Sequence, residues 1–297
     1  MQCRSVLTRI DALRTGELEN RESDDVREHL EVCTSCHESL DDVEEFAGAI
    51  RGLATQPFRS CLSDVAKALT DSFSLVQSGD LRAWVAFSGR GIRMIDLGSP
   101  DEESFRGRYE QRFGRALREE ALSDRQRSAV ERALAGEPGE LPEIDLEGLT
   151  EFEQKVLRTI VGIPRGEVRS YEWVARKAGR PGAARAVGNI MASNPVPLLL
   201  PCHRVVPAAG GIGKYGYGPE MKRRILAAEH APVAEIERLA KEGVRFIGSR
   251  ITKIFCCPTC RDARRIREEN RVLFHDASEA ESHGFRPCRR CTPVAAA

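Results

Sequence analysis

Hydrophobic and polar positions divide the 297-residue chain into stretches of different rhythm. Residues 4–16 and 24–53 carry apolar side chains at helical spacing among many charges, which predicts two helices, with Thr55-Gln56-Pro57 as a linker. From residue 80 the rhythm changes. DLRAWVAFSGRGIRMIDLGSP clusters apolar and β-branched residues on both sides of SGRG and predicts two strands joined by a glycine-containing turn. EESFRGRYEQRFG and SDRQRSAVERALAG predict helices, the second with Ser123 as N-cap and Gly136 as its stop. GEPGELPEIDLEG predicts a linker with a short extended piece.

From residue 151 the pattern tightens. FEQKVLRTIVGIPRG predicts a helix, and SYEWVARKAG, GRPG and AARAVGNIMASN predict two short helices split by a Gly-Pro-Gly break. That is a helix-turn-helix pattern, whose second helix can lie against DNA. The apolar run PVPLLLP then predicts a buried strand that ends in Cys202-His203-Arg204.

Charge sharpens this division. The chain is neutral as a whole, yet residues 1–57 hold 6 basic against 13 acidic side chains and residues 151–230 hold 13 against 6. A polyanion partner is therefore expected for the C-terminal side only. The longest apolar runs are too short to span a bilayer, and MQCRSVLTRIDALRTGE lacks the apolar region of a secretory signal. A cytoplasmic protein without membrane contact is expected, its ten cysteines serving as metal ligands or nucleophiles.

The cysteines fall into groups. Cys202 stands beside His203, an arrangement suited to a thiol that must be ionised. A cysteine hydrolase would need a separate histidine and an oxyanion site, so that reading is disfavoured. CCPTC and CRRC, about thirty residues apart, give Cys257-x-x-Cys260 with Cys288-x-x-Cys291, the spacing of a four-thiolate zinc knuckle. In HLEVCTSC, His29 and Cys33 stand four apart on an expected helix, with Cys36 just beyond and Cys3 available as a fourth ligand for zinc.

Residues 151–230 resemble the active-site domain of O6-alkylguanine-DNA alkyltransferases, through Pro201-Cys202-His203-Arg204-Val205, the Ser170-Tyr171 pair and AARAVG. Residues 58–150 resemble that family's N-terminal α/β domain weakly, through DLRAWVAFSGRGIRMIDLG and RYEQRFGRAL. The resemblance implies a suicidal methyltransferase. Cys202 would take the alkyl group from O6-alkylguanine, and from O4-alkylthymine, in double-stranded DNA without a cofactor. His203 would receive the thiol proton through a water, Glu229 would orient the imidazole, and Tyr171 would serve guanine N3. Asn194 would tie the recognition helix to the active-site turn, and Arg185 would fill the space left by the extruded base. Tyr215 would wall the pocket, with Gly216 where many relatives carry serine.

The C-terminal stretch resembles the zinc module of the bacterial Ada adaptive-response protein, whose Cys-x-Pro-x-Cys and FRPCxRC patterns are matched by Pro258 and Pro287. That implies a zinc site of Cys256, Cys260, Cys288 and Cys291, with Cys256 as a second methyl acceptor from methylated backbone phosphate. CRSVLTRIDALRTGELE with REHLEVCTSC resembles small zinc-binding anti-sigma modules and implies a protein partner such as a sigma factor. The expected fold is α/β multidomain, in a chain that acts as a monomer. An acidic zinc-binding helical module spans 1–57 and a small α/β domain 58–148. A helix-turn-helix, winged-helix-like alkyltransferase domain spans 149–232 and a small α+β zinc module 233–297. The alternative is a regulatory alkylation sensor that binds DNA or a sigma factor.

Overall fold

The computed structural model describes residues 2–54 and 70–293. Two compact units make up the chain, the first reaching Leu69 and the second beginning at Thr70. The expected linker at 55–57, the boundary at 57 and Cys61 lie outside the described residues.

The first unit is helical: α1 (Cys3–Leu7), α2 (Ile10–Thr15), α3 (Asn20–Val32) and α4 (Thr34–Ala54). Val6, Ile10, Val26, Leu30 and Cys36 form its small core. Both long helices expected here are interrupted. The first breaks at Thr8–Arg9, and the second breaks at Cys33, which caps α3 in extended conformation.

The second unit begins with a four-stranded sheet of order β3-β2-β1-β4, formed by β1 (Thr70–Ser78), β2 (Leu81–Ser88), β3 (Gly91–Asp96) and β4 (Ala116–Glu119). The two expected strands are β2 and β3, antiparallel with Ser88 opposite Gly91 across the turn. β1 and β4 escape the sequence pattern; they pair in parallel, linked through the rest of the sheet and α5 (Glu102–Phe113). Helix α6 (Asp124–Leu134) lies against β1 and starts at a capping box in which Ser123 accepts from Gln126 N–H and the Gln126 side chain accepts from Ser123 N–H.

Three helices follow: α7 (Glu151–Val161), α8 (Tyr171–Lys177) and α9 (Ala184–Ala192). Capping boxes and serine caps set their starts: Thr150 with Glu153 at α7, and Ser170 at α8. Between α8 and α9 the chain turns through Gly179 and Gly182, both at φ +83°, a conformation that a β-carbon disfavours. One hydrophobic core runs from Val76, Val85 and Ile95 of the sheet through Val156, Leu157 and Ile160 of α7 to Val187, Val205 and Ile225.

Residues 195–200 are not a strand. Pro195, Pro197 and Pro201 offer no N–H to a ladder, so the run coils into turns with Leu198 at φ 73° and Leu200 N–H bonded to Val196 O. Two-residue strands β5 (Arg169–Ser170) and β6 (Val205–Val206) pair in parallel beside it. Helices α10 (Pro219–Ala228) and α11 (Val233–Lys241) lead to a second sheet of order β10-β8-β7-β9. Its strands are β7 (Phe246–Ser249), β8 (Ile254–Cys256), β9 (Arg271–Phe274) and β10 (Arg286–Pro287), with α12 (Ala277–Ser282) before the last.

Candidate active site and cysteine clusters

Cys202 opens a short 3-10 turn, Cys202–Arg204, that follows the proline-rich coil and feeds β6. The thiol is buried, 5% exposed. Asn194 holds the turn from the end of α9: its Nδ2 donates to Leu200 O at 2.8 Å, and its Oδ1 accepts from Val196 N–H at 3.0 Å. A single side chain thus joins the helix to the thiol-bearing loop.

His203 is fully buried, and its Nε2 lies 3.1 Å from Glu229 Oε1, while Nδ1 has no partner in the protein. With Nε2–H donated to the carboxylate, Nδ1 carries a free lone pair. Burial holds the imidazole below its ordinary pKa despite the opposing pull of Glu229, so it is neutral at pH 7 and able to accept a proton. Glu229 caps α10, and it also accepts from Arg204 Nε at 2.8 Å and Nη2 at 2.6 Å. Burial works against its charge, but His203 and Arg204 overcome it and bring the carboxyl down to about 2.

Burial pushes the Cys202 thiol up, opposed by Asn194, Lys222 and the Tyr215 hydroxyl, so the resting group is a thiol. Tyr215 Oη is buried without a nitrogen or oxygen partner and faces that sulfur. Tyr171, the first residue of α8, has its phenol raised by burial and by the nearby Cys202. Tyr217 packs edge-on to Tyr215 with ring centres 5.7 Å apart, and its hydroxyl donates to Asp96 at the end of β3.

Sequence reasoning missed Lys222. Its ammonium is 1% exposed, donates to Val205 O at 2.7 Å and is brought down to about 8 by burial, with Cys202 opposing. A buried cation is costly unless something compensates it; at rest the Val205 carbonyl does so, and the negative charge that Cys202 would carry as a thiolate favours it further. The only signal in the sequence was a lysine on the inward face of α10. Arg185 stands exposed near the start of α9, and Arg176, Lys177 and Arg180 are exposed on and just after α8. Gly216 is exposed beside Tyr215.

Residues 151–231 match the family described as 6-O-methylguanine DNA methyltransferase, DNA binding domain, and residues 237–294 match the metal binding domain of Ada. The chain is 44% identical over 111 residues to the methylated-DNA–protein-cysteine methyltransferase of Mycolicibacterium paratuberculosis, covering 36% of this chain and 67% of that protein. The chain belongs to the methylated-DNA–protein-cysteine methyltransferase family. The human enzyme of that name is 45% identical over 94 residues, 31% of this chain and 42% of that protein. The chain thus spans about two thirds of the first relative's length and less than half of the second's. The crystal structure of Mycobacterium tuberculosis O6-methylguanine methyltransferase overlays with a TM-score of 0.45 at 32% identity, covering 54% of this chain and 92% of that one.

The chain also carries two cysteine clusters. Cys256, Cys260, Cys288 and Cys291 are all buried, with their sulfurs within 4.8 Å of one another. Four sulfurs that close suit one tetrahedral ion, and an all-thiolate set suits zinc. Cys256 completes the set; Cys257 stays outside it, its N–H donating to Cys291 Sγ at 3.4 Å. Beside Cys256 runs a groove of about 650 Å³ whose lining includes Arg265, Arg267, Arg286, Arg289 and Arg290. In the first unit, Cys3, His29, Cys33 and Cys36 place their ligand atoms within 4.8 Å, and His29 Nε2 is buried without a partner, as a metal-facing nitrogen would be. Cys33 reaches this cluster from the break after α3, not from the helical face that the spacing had suggested. Among the described residues no helix is long and apolar enough to cross a membrane.

Proposed function

We propose that this protein repairs DNA by moving the alkyl group of O6-alkylguanine, or O4-alkylthymine, irreversibly onto Cys202. The observation that carries the reading is the buried chain Cys202, His203, Glu229, Arg204, in which a neutral imidazole with one free nitrogen follows the thiol. As the alkyl carbon bonds to Sγ and its bond to guanine O6 breaks, the thiol proton passes to His203 Nδ1, through a water. The electron pair leaves with the guanine, whose N3 takes a proton from Tyr171. The resulting imidazolium is held by Glu229. Lys222 and the Tyr215 hydroxyl stabilise the charge building on sulfur before the carbon is captured. The thioether has no leaving route, so one molecule acts once.

The damaged base must leave the stack to reach a thiol this buried. The exposed Arg185 on α9 is placed by this reading in the groove, filling the gap, with Tyr215 and Gly216 walling the base. Incubation with duplex carrying O6-[methyl-³H]methylguanine should leave one labelled methyl on the peptide holding Cys202, and Cys202→Ala should leave none. Unlabelled wild-type protein, with the lesion intact, sinks the reading.

A second activity is supported by the arginine-lined groove at Cys256. Five guanidiniums there suit a phosphate backbone, and a zinc-bound Cys256 thiolate would accept a methyl from a methylated phosphate. For the first unit we read an acidic zinc module whose partner is a protein such as a sigma factor, in a monomeric, cytoplasmic chain. The four parts 1–57, 58–148, 149–232 with its winged-helix-like character, and 233–297 belong to the same proposal.

A further inference from the structure

Residues 167–173 join two centres of this molecule. On one side, β5 pairs with β6, the strand leaving Cys202–Arg204, and Ser170 caps α8 by accepting from Trp173 N–H at 3.1 Å. Tyr171 begins that helix. On the other side the same segment is bonded to the cysteine knuckle. Val168 N–H donates to Thr259 Oγ1 at 2.9 Å, and the Thr259 hydroxyl returns a bond to Val168 O at 3.3 Å. Arg261 N–H donates to Glu167 Oε1 at 3.1 Å. The Trp173 indole N–H donates to Cys291 O at 2.9 Å and lies 3.1 Å from Thr292 Oγ1.

Every knuckle group in these bonds is a cluster cysteine or its immediate neighbour: Thr259 and Arg261 flank Cys260, and Thr292 follows Cys291. Thr259 is 1% exposed and Val168 7%, so water cannot replace the partners cheaply. Arg169 completes the seam. Its buried guanidinium pairs with Glu167 and lies over the Trp173 ring at 5.7 Å, a cation set against a cluster that holds a net negative charge once four thiolates surround a divalent ion.

We propose that the cysteine knuckle is a positioning element for the Cys202 reaction: metal bound by Cys256, Cys260, Cys288 and Cys291 fixes Thr259 and Cys291, and these fix Val168, Trp173 and the start of α8 with Tyr171. Cys256 ends β8, Cys288 follows β10, and Cys260 and Cys291 stand at turns, so a common ion would tie together four segments that otherwise meet only through a small apolar core. The ion takes no part in bond making, yet it sets the rate, which revises the expectation that transfer at Cys202 is indifferent to metal. The inference rests on the alkyl-transfer reading.

The test uses the full chain, in which Trp84 and Trp173 are the two tryptophans. In a Trp84→Phe background, or by ¹⁹F NMR of 5-fluorotryptophan protein if that variant does not fold, the Trp173 signal is followed while zinc is stripped by chelator under reductant and then restored. The signal should shift on stripping and return on reloading. Methyl transfer from an O6-methylguanine duplex should slow at least tenfold in the stripped protein. Trp173→Phe keeps the ring and loses the N–H; it should slow the loaded protein by a similar factor, and stripping it should slow it little further, whereas independent structural damage would multiply. A Trp173 signal indifferent to zinc, or stripping that slows Trp173→Phe as steeply as wild type, overturns the proposal. If loaded wild type never labels Cys202, the alkyl-transfer reading falls instead, and the Trp173 signal still decides the clamp.

Discussion

At Cys202, burial and charge pull in opposite directions, and the neighbours settle the outcome. Burial keeps the sulfur protonated at rest, while Lys222, Asn194 and the Tyr215 hydroxyl favour its charged form. The transfer rate should therefore fall towards acid as His203, held below its ordinary pKa, becomes protonated, and fall again above about 8 as Lys222 loses its proton. A rate–pH profile checks this, and Lys222→Met should lower the plateau and remove the alkaline limb. At Glu229 the same logic touches stability. Its pKa is depressed to about 2 in the folded protein from an ordinary value of 4.5, so its contribution is present in full above the ordinary value and is lost as the pH falls towards 2. That difference amounts to about 3 kcal/mol. Urea unfolding at pH 7 should find Glu229→Gln destabilised by up to that amount, with the gap to wild type closing as the pH approaches 2.

At the scale of elements, caps and turns were the most readable features. Ser123 and Gly136 bracket α6 as their residue types demand, and the Gly-Pro-Gly break separates α8 from α9. The apolar run 195–201 was misread because hydrophobicity reports burial and not conformation; its three prolines made a coil of what burial alone would allow as a strand. The coil depends on Asn194 instead of on a ladder. Asn194→Ala removes two half-buried hydrogen bonds, and labelled-methyl kinetics should show transfer slowed tenfold or more while the fold survives. In the second sheet, Gly248 on β7 leaves no room for a methyl: a β-carbon would lie 2.7 Å from ring atoms of Phe274 and Phe285. Gly248→Ala should cost about 1–3 kcal/mol through overpacking, read as a lowered melting temperature. Strands β1 and β4 escaped notice because TDSFSLVQS and ALRE alternate weakly, and only their neighbours in the sheet define them.

At the scale of the whole molecule, the second unit brings distant segments onto the thiol loop. Ile95 N–H on β3 donates to Pro195 O at 2.9 Å, Arg112 of α5 donates to Ser193 O, and Asp96 receives the Tyr217 hydroxyl. The small sheet therefore buttresses both the coil before Cys202 and the tyrosine wall after it. Asp96→Ala should loosen Tyr217 and change the relative rates for methyl and benzyl adducts, measured by competition on the same duplex, while leaving Cys202 as the labelled residue.

The local chemistry was legible in order along the chain: PCHRV with its thiol and base, the helix-turn-helix, and two sets of ligand-type residues at metal spacing. Such features depend on residue type and short separation, which a sequence displays directly. Tertiary structure alone decided that Lys222 is buried on the Val205 carbonyl near Cys202 and that the knuckle is bonded to residues 167–173, while the choice of Cys256 over Cys257, implied by the resemblance, is met in the cluster. The first two sets of contacts join positions 17 to more than 100 residues apart, and they arise from how buried surfaces meet, for which no periodicity or spacing in the chain provides a sign.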